Sequence, residues 1–355
     1  VLGAVIALFK HDLKALLAFS TVSHLGLITM LLGTGTAFGA MAAVFHILNH
    51  ATFKAALFMS AGIVDHEAHT RDIRRLGGLR TLMPITFVIA TLAALSMAGI
   101  PLLNGFLSKE MMLEATTKTV LFDTWWLVPG LATFGSLMSA AYCFRFIGHT
   151  FLGPVRDDYP SKPHDPGFGM WVPPALLVVM VVVIGIAPAV AEPFVKMVTA
   201  SVIGEAATVP DKHIKIWHGL IPALYMSIVA VVGGLLVLTI YKPLQRVWDV
   251  APRPEAKTIF DSIVEAAARA AQAFTFVLHN GAFSRYAMIA MVAIVGAGYY
   301  AWTTGAVGEA TRELQVAGPV PIAGWVMLVA ATGALVLLHR NRFLSLMLIG
   351  IVGLM

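Results

Sequence analysis

Charged residues are scarce in this chain: Asp, Glu, Lys and Arg make up 12% of its 355 residues, whereas hydrophobic residues make up 58%. A soluble globular domain carries about 25% charged residues, so the composition excludes an ordinary water-soluble domain. Cysteine occurs once, at Cys143, which excludes a disulfide framework and a cysteine-type metal site within the chain. The sequence therefore predicts a membrane protein.

Motifs for several common chemistries are also absent from the sequence. There is no glycine-rich phosphate loop of the Walker type, so direct coupling to ATP is unsupported. Nothing has the pattern of a Ser/His/Asp hydrolase, and no pairing of histidines between helices suggests a haem. The net charge of +5 fits Lys and Arg in cytoplasmic loops better than nucleic-acid binding. We expect no cofactor, no bound metal and no nucleic-acid partner.

Hydrophobic runs of about 20 residues, long enough to cross a membrane, recur along the chain. Eight full spans are predicted, at residues 15–33, 40–63, 82–118, 125–150, 171–195, 219–241, 285–303 and 319–338, with partial segments at 1–9 and 343–355. Lys and Arg concentrate in alternate connections, which the positive-inside rule assigns to the cytoplasm. The predicted fold class is all-α, a polytopic transmembrane helix bundle.

The ends of the chain and one long connection indicate its organisation. The sequence starts at Val1 and stops at Met355 within apolar runs, so we expect an internal portion of a longer polypeptide. The connection at residues 242–284 begins with a Pro-rich stretch and continues as an Ala-rich pattern with charges four residues apart, which predicts an amphipathic or lateral helix. It would separate a helical bundle at 1–241 from the start of an accessory transmembrane region at 285–355.

Three ionisable residues recur at every fourth position of one apolar run, "VFHILNHATFKAALF". His46, His50 and Lys54 therefore form one slanting stripe on a helix. A charge at mid-membrane costs upward of about 2.5 kcal/mol, so such residues usually face a bundle interior or a water-filled path. The stripe predicts a proton relay through intervening waters. The alternative is that each residue is a core residue hydrogen-bonded to a neighbouring helix.

The long run "SMAGIPLLNGFLSKEMMLEA" contains residues that a regular helix does not tolerate together. Pro101, Asn104 and Gly105 predict a helix broken near the middle of the membrane, where a break is tolerated if it lines a cavity. Lys109 and Glu110 follow the break and are predicted to form a gated exit for protons. The alternative is that Lys109 extends to the lipid headgroups and pairs with Glu110.

Other polar residues extend the predicted path toward the cytoplasm. His24 lies in "AFSTVSHLG", and it is a stronger candidate for a path residue if its helix packs against the stripe. Asp12 and Lys14, in "HDLK", are predicted at the cytoplasmic mouth. Asp65 lies in "GIVDHEAHTRDIRR", whose His, Asp and Glu lack a regular metal-ligand spacing. We therefore favour a solvated loop or a cation-collecting entrance over a metal site there.

Four motifs in order, "DLKALLAFSTVSHLG", "FHILNHATFKAALF", "RRLGGLRTLMP" and "AGIPLLNGFLSKE", carry a family resemblance. The chain resembles the antiporter-like subunits shared by respiratory complex I, membrane hydrogenases and Mrp sodium/proton antiporters. Within that group, "LNHATFKAALFMSAGIVDHEAHTRDIRRLGGL", "IWHGLIPALYMS" and "LHNGAFSRYAM" are similar to the large A-type component of Mrp antiporters. The resemblance covers essentially the whole chain.

The resemblance implies both a site and a role. The family's second half-channel would run through His46, His50, Lys54 and Lys109, with Glu110 where complex I subunits typically have Asp. The first half-channel would precede the chain. The implied role is exchange of Na⁺ against H⁺ across the plasma membrane, as a transporter rather than an enzyme, within a hetero-oligomer of several small membrane subunits embedded in the lipid bilayer.

Two other functions stay open at this point. The same residues would serve a proton-pumping subunit of a complex I-like or hydrogenase redox complex. A structural or assembly subunit would use them only to bond helices together. Because the polar residues are chiefly basic, which suits protons better than Na⁺, we expect this portion to move protons.

Overall fold

The computed structural model describes residues 1–157, 159–204, 208–217, 219–252, 256–279, 281–305 and 316–354. Within these residues the chain forms fifteen α-helices and one short 3₁₀ helix, Pro188–Val190. The chain divides into two compact units, Val1–Pro252 and Arg253–Met355. The three-part division expected from the sequence stays a prediction.

The first unit contains eleven of these α-helices. They are α1 (Leu2–Phe9), α2 (Leu13–Gly33), α3 (Ala37–Ala68), α4 (Leu79–Leu82), α5 (Pro84–Ala98), α6 (Asn104–Thr117), α7 (Leu127–Thr150), α8 (Phe168–Ile186), α9 (Glu192–Ile203), α10 (Pro222–Thr239) and α11 (Tyr241–Val250). The second unit contains α12 (Ala256–Leu278), α13 (Phe283–Thr304), α14 (Pro319–Leu338) and α15 (Arg342–Leu354).

Seven helices within the described residues are long and apolar enough to cross a membrane. They are α2, α3, α7, α8, α10, α13 and α14. The predicted span at 82–118 is the eighth, and it is divided between α5 and α6. The prediction of an all-α, polytopic membrane bundle is confirmed.

Helix α3 is the centre of the first unit. It is 32 residues long and packs against α2, α5, α6, α8 and α9. The Thr36 hydroxyl accepts a hydrogen bond from the Gly39 amide and so caps the helix start, while the chain leaves the helix through His69 in a left-handed conformation. Helices on several sides cover α3, so the polar residues of its middle part, from His46 to Ser60, lie inside the bundle and not against lipid.

The predicted break lies between α5 and α6, at residues 99–103. Gly99 ends α5 at φ 91°, a conformation that favours glycine, and Pro101 lies inside the break. Asn104 and Gly105, expected within the break, instead form the first turn of α6. A Cβ on Gly105 would lie 1.9 Å from the carbonyl oxygen of Ser96, so this glycine permits a close approach of α6 to α5 and does not make a turn.

Three loops with basic residues meet at one end of the first unit. The amide of Leu13 donates to the carbonyl of Arg71, and the amide of Gly78 donates to the carbonyl of Leu152. The loops before α2, after α3 and after α7 therefore share one end. This arrangement agrees with the alternation of Lys and Arg in the sequence, which assigns this end to the cytoplasm.

Ion pairs join the helices at the opposite end. Glu114 of α6 accepts hydrogen bonds from Lys118 and Lys212, and Glu192 of α9 accepts one from the His213 ring at 2.8 Å. Residues 211–214 therefore tie α6 to α9. We call this the outer end of the bundle.

The second unit is formed by more exposed helices. Helix α12 occupies 23 residues of the connection for which the sequence predicts an amphipathic or lateral helix, and its described side chains are exposed. Helices α14 and α15 contact each other, and of α14 only Ala331 is buried.

The close approach at Gly105 generates a stability prediction. Gly105→Ala should lower the free energy of unfolding by about 1–3 kcal/mol, because the added methyl overlaps backbone that cannot move independently. Gly148→Ala in α7 is the matched control, because a Cβ there meets no atom within 4 Å. Thermal unfolding of the detergent-solubilised protein measures both variants. Equal midpoints for the two would contradict the close packing of α6 on α5.

Candidate functional site

Two histidines from neighbouring helices form a direct hydrogen bond in the centre of the bundle. His24 of α2 places Nδ1 2.8 Å from Nε2 of His46 on α3, and the ring planes differ by 9°. Both side chains are buried. Helix α2 therefore packs against the histidine stripe, as the prediction for His24 requires, and the role of His24 as a path residue stays a prediction.

The second nitrogen of each ring extends this bond to two further helices. His46 Nδ1 lies 2.9 Å from the Ser108 hydroxyl of α6. His24 Nε2 lies 3.2 Å from the Tyr142 hydroxyl of α7. One hydrogen-bonded row therefore crosses α6, α3, α2 and α7.

Two hydroxyls of α7 connect this row back to α6. Tyr142 donates to Ser139 Oγ at 3.0 Å, and Lys109 Nζ donates to the same oxygen at 3.1 Å. Lys109 also donates to the Ala98 carbonyl at 3.2 Å. This carbonyl is available because α5 ends at Ala98. We call the row from Ser108 to Lys109 the buried chain; its members are Ser108, His46, His24, Tyr142, Ser139 and Lys109.

Lys54 lies beside the buried chain and has different partners. Its Nζ donates to Ser20 Oγ at 2.5 Å and to Met97 Sδ at 3.1 Å. Within the described residues, neither Lys54 nor Lys109 has a carboxylate at salt-bridge distance. Both ammonium groups are thus held by hydroxyl, carbonyl and thioether groups alone.

His50 contacts the histidine pair without a hydrogen bond to it. Its ring centre lies 5.3 Å from that of His24 and 5.5 Å from that of Phe53, and its Nε2 has no hydrogen-bond partner among the described residues. The predicted stripe therefore does not form a continuous row of hydrogen bonds along α3. His46, His50 and Lys54 share one face but lie about 6 Å apart along the helix axis, so each meets a different set of groups.

Lys109 and Glu110 are both inside the bundle. Their residues are 6% and 3% exposed, so Lys109 does not extend to the rim in this structure. The start of α6 is fixed by Asn104, which accepts from Ser96 Oγ at 2.7 Å and donates to Thr52 Oγ1 at 3.0 Å. These bonds hold α6 against α5 and α3 one turn before Lys109.

The residues predicted at the cytoplasmic mouth come together where α2 begins and α3 ends. Lys14 Nζ lies 2.7 Å from Asp65 Oδ2, which joins the two helices. Asp12 accepts from the Ala15 amide at 2.8 Å and so caps α2, and it also pairs with Arg71. A polar cavity of about 440 Å³ lies here, with Asp12 and Asp65 in its lining. This cluster is the entrance region.

The surroundings of the entrance region lower the pKa values of two of its side chains. The Arg74 guanidinium donates to Asp72 and holds the pKa of that carboxyl below its usual value. Burial, and then the charge of Arg145, lowers the pKa of His11. At neutral pH the region therefore presents a charged Asp72 beside a neutral His11.

A second cavity, of about 170 Å³, lies between α2 and α7. Its wall includes three members of the buried chain, His24, Lys109 and Ser139, and it reaches Met30 and Leu131 toward the outer end. A volume of this size holds several water molecules. The buried chain therefore adjoins a cavity that extends toward the outer end.

The sequence did not identify Ser139 and Tyr142 as site residues. They are spaced three residues apart in α7, so they share one face of an apolar helix, and this spacing was the available signal. Met97 offered no signal, because methionine is ordinary in a membrane helix. Within the described residues, no group of three or more His, Cys, Asp or Glu has the arrangement of a metal site.

Buried lysines and histidines linked through hydrogen bonds beside a broken helix, within a polytopic bundle, are what the motif resemblance to antiporter-like membrane proteins implies. Residues 1–139 match the family model described as "NADH:quinone oxidoreductase/Mrp antiporter, TM". These residues belong to that family, and the resemblance seen in the motifs is confirmed.

Named relatives cover this chain to different extents. The probable A/B component of a K⁺/H⁺ antiporter from Rhizobium meliloti is 51% identical over 66% of this chain and 23% of that protein. The A component of the Na⁺/H⁺ antiporter of Alkalihalophilus pseudofirmus is 31% identical over 99% of this chain and 47% of that protein. The chain thus spans less than half the length of these curated relatives.

Solved structures share the fold. A chain of the Mrp complex from Dietzia sp. DQ12-45-1b matches 99% of this chain with a TM-score of 0.75 and 32% identity, over 38% of its own length. A chain of the membrane-bound sulfane sulfur reductase, an archaeal respiratory membrane complex, matches 84% of this chain and 54% of itself with a TM-score of 0.62. Its 23% identity shows the fold alone.

The two histidines one turn apart on α3 allow a matched stability test. His46→Phe leaves His24 and Ser108 without their partner and should cost about 1–3 kcal/mol of the free energy of unfolding. His50→Phe removes no hydrogen bond and should change it by less than about 1 kcal/mol. Thermal unfolding in detergent compares them. A larger loss for His50→Phe would show that the His24–His46 bond is not formed.

Proposed function

We propose that this chain is the proton-conducting portion of a component of a cation/proton antiporter in the plasma membrane. The observation that supports it most is the buried chain, which joins two imidazoles to Lys109 across four helices without a paired carboxylate. A buried ion pair would hold its protons in place. A row of hydroxyls, imidazoles and amines can pass them on.

The path runs between the cytoplasmic end and the outer end of the bundle. The Lys14–Asp65 pair lies at the mouth, and Lys54 lies deeper between α2, α3 and α5. Beyond Lys54 come the His24–His46 pair and Lys109, with His50 connected through water at its Nε2, which has no partner among the described residues. Glu110 follows Lys109 in sequence, is buried as well, and belongs to the outer part of this path.

The exchanged cation is Na⁺ or K⁺, as the names of the relatives indicate. Sodium is the expectation from the motifs and from the relative that covers 99% of the chain, whereas the relative with 51% identity is named for potassium. The described interior offers basic groups and few clustered oxygens, so the cation is handled mainly by other parts of a hetero-oligomer of small membrane subunits. The chain is a transporter component and not an enzyme.

Two rival functions differ from this one in measurable ways. A redox-driven proton pump would use the same interior groups, but its proton movement would not depend on Na⁺ or K⁺. A structural subunit would lose assembly when a buried lysine is removed, because the lysines would serve only to bond helices.

The test uses everted membrane vesicles from antiporter-deficient cells that express the full parent complex. The vesicles are energised, NaCl or KCl is added, and a fluorescent dye follows the pH gradient. The variants are Lys54→Ala and Lys109→Ala, with Lys118→Ala as control because Lys118 is an exposed lysine at the end of α6. Native gels report assembly.

We expect one of the two salts to dissipate the gradient in the parent and in Lys118→Ala. Lys54→Ala and Lys109→Ala should assemble and lose at least about 90% of the response, since each removes a proton-carrying group. Absence of a salt effect in the parent would favour the redox pump. Loss of assembly in both interior variants would favour the structural role.

A further inference from the structure

Among the described residues, Lys109 forms a hydrogen bond to a single side chain. Of its two hydrogen-bond partners, one is the backbone carbonyl of Ala98 and the other is the hydroxyl of Ser139. A carbonyl oxygen cannot relay a proton because it has none to give. Among the described residues, proton exchange between Lys109 and another side chain therefore has to pass Ser139 or water.

Ser139 is joined on its other side to the histidine pair. Tyr142 donates to Ser139 Oγ at 3.0 Å, and the Tyr142 oxygen lies 3.2 Å from His24 Nε2. Ser139 and Tyr142 are both buried, at 3% and 0% exposure. We propose that the hydroxyls of Ser139 and Tyr142 form a bridge through which the His24–His46 pair exchanges protons with Lys109, an inference that rests on the function proposed above.

The transfer balances without forming a charged hydroxyl. It starts with His24 protonated and Lys109 neutral. The His24 Nε2 proton moves to the Tyr142 oxygen as the proton of Tyr142 moves to Ser139 and that of Ser139 moves to Lys109 Nζ. One proton has then left the imidazolium and one has joined the amine, and each hydroxyl has lost one proton and gained another.

Tyr142 also gives Lys54 access to the same bridge. Lys54 donates to Ser20 Oγ, and Ser20 interacts with the Tyr142 side chain. The branch from Lys54 and the branch from the two histidines therefore meet at one hydroxyl of α7. The bridge would therefore connect Lys54 as well as the two histidines to Lys109, without the participation of His50.

The two hydroxyls are not equally important. His24 Nε2 lies 3.5 Å from Ser139 Oγ, so a weaker direct contact bypasses Tyr142. No side-chain contact bypasses Ser139 on the way to Lys109 within the described residues. We therefore expect loss of the Ser139 hydroxyl to be more damaging than loss of the Tyr142 hydroxyl.

The variants follow from this geometry. Ser139→Ala removes the hydroxyl, and Ser139→Thr keeps it while its added methyl can enter the adjoining cavity of about 170 Å³. Tyr142→Phe removes only the phenolic oxygen. Ser60→Ala is the control, because Ser60 is a buried serine of α3 whose hydroxyl bonds only to the Ala56 carbonyl of its own helix.

The experiment measures the initial rate of salt-induced dissipation of the pH gradient in everted vesicles containing the full complex, normalised to assembled complex. Ser139→Ala should lower the rate about tenfold or more, as expected for the loss of one hydrogen bond to a charged group. Tyr142→Phe should lower it by a smaller factor. Ser139→Thr and Ser60→Ala should retain the parental rate.

The outcomes separate this inference from the proposed function. A parental rate in assembled Ser139→Ala, or a Ser139→Thr variant as slow as Ser139→Ala, overturns the bridge while Lys109→Ala still tests the path. If Ser139→Ala does not assemble, Tyr142→Phe decides: a lowered rate supports the bridge and a parental rate overturns it. A parent complex without any salt response overturns both proposals.

Discussion

The interior of the first unit depends on how the start of α6 is fixed. Asn104 bonds to Ser96 of α5 and to Thr52 of α3, and Gly105 lets the two backbones approach. This contact follows a break that leaves the Ala98 carbonyl free to accept from Lys109. The same contact fixes the position of α6 along its axis, and with it the place where Ser108 meets His46. A regular helix through this region would not have left the Ala98 carbonyl free for Lys109, and it would not have placed Ser108 against His46.

The consequence is a row of hydrogen bonds that runs across the bundle. Polar groups inside a membrane bundle need partners, since an unpaired one costs about 1–3 kcal/mol. Here those partners come from different helices: His46 meets α2 and α6, and His24 meets α3 and α7. Small movements between helices therefore change which proton donors and acceptors are connected.

Sequence reasoning was strongest where the physical argument is local. That His46, His50 and Lys54 face an interior follows from the cost of placing such groups in lipid, and α3 is surrounded by other helices. The break near Pro101 follows in the same way from backbone chemistry. Partners could not be predicted, because the His24–Tyr142 bond joins residues 118 positions apart. The role of Gly105 was likewise hidden, since a glycine needed for close approach and one needed for a turn look identical in sequence.

The proposed path needs a titratable group at position 24 that carries protons between the helices. His24→Gln removes that group alone, because glutamine retains a donor and an acceptor but does not take up a proton near neutral pH. The measurement is salt-induced dissipation of the pH gradient by the assembled complex in everted vesicles. We expect an assembled variant whose exchange rate is lost. An assembled His24→Gln complex with the parental rate would contradict it, because the hydrogen bond from α2 would then serve packing alone.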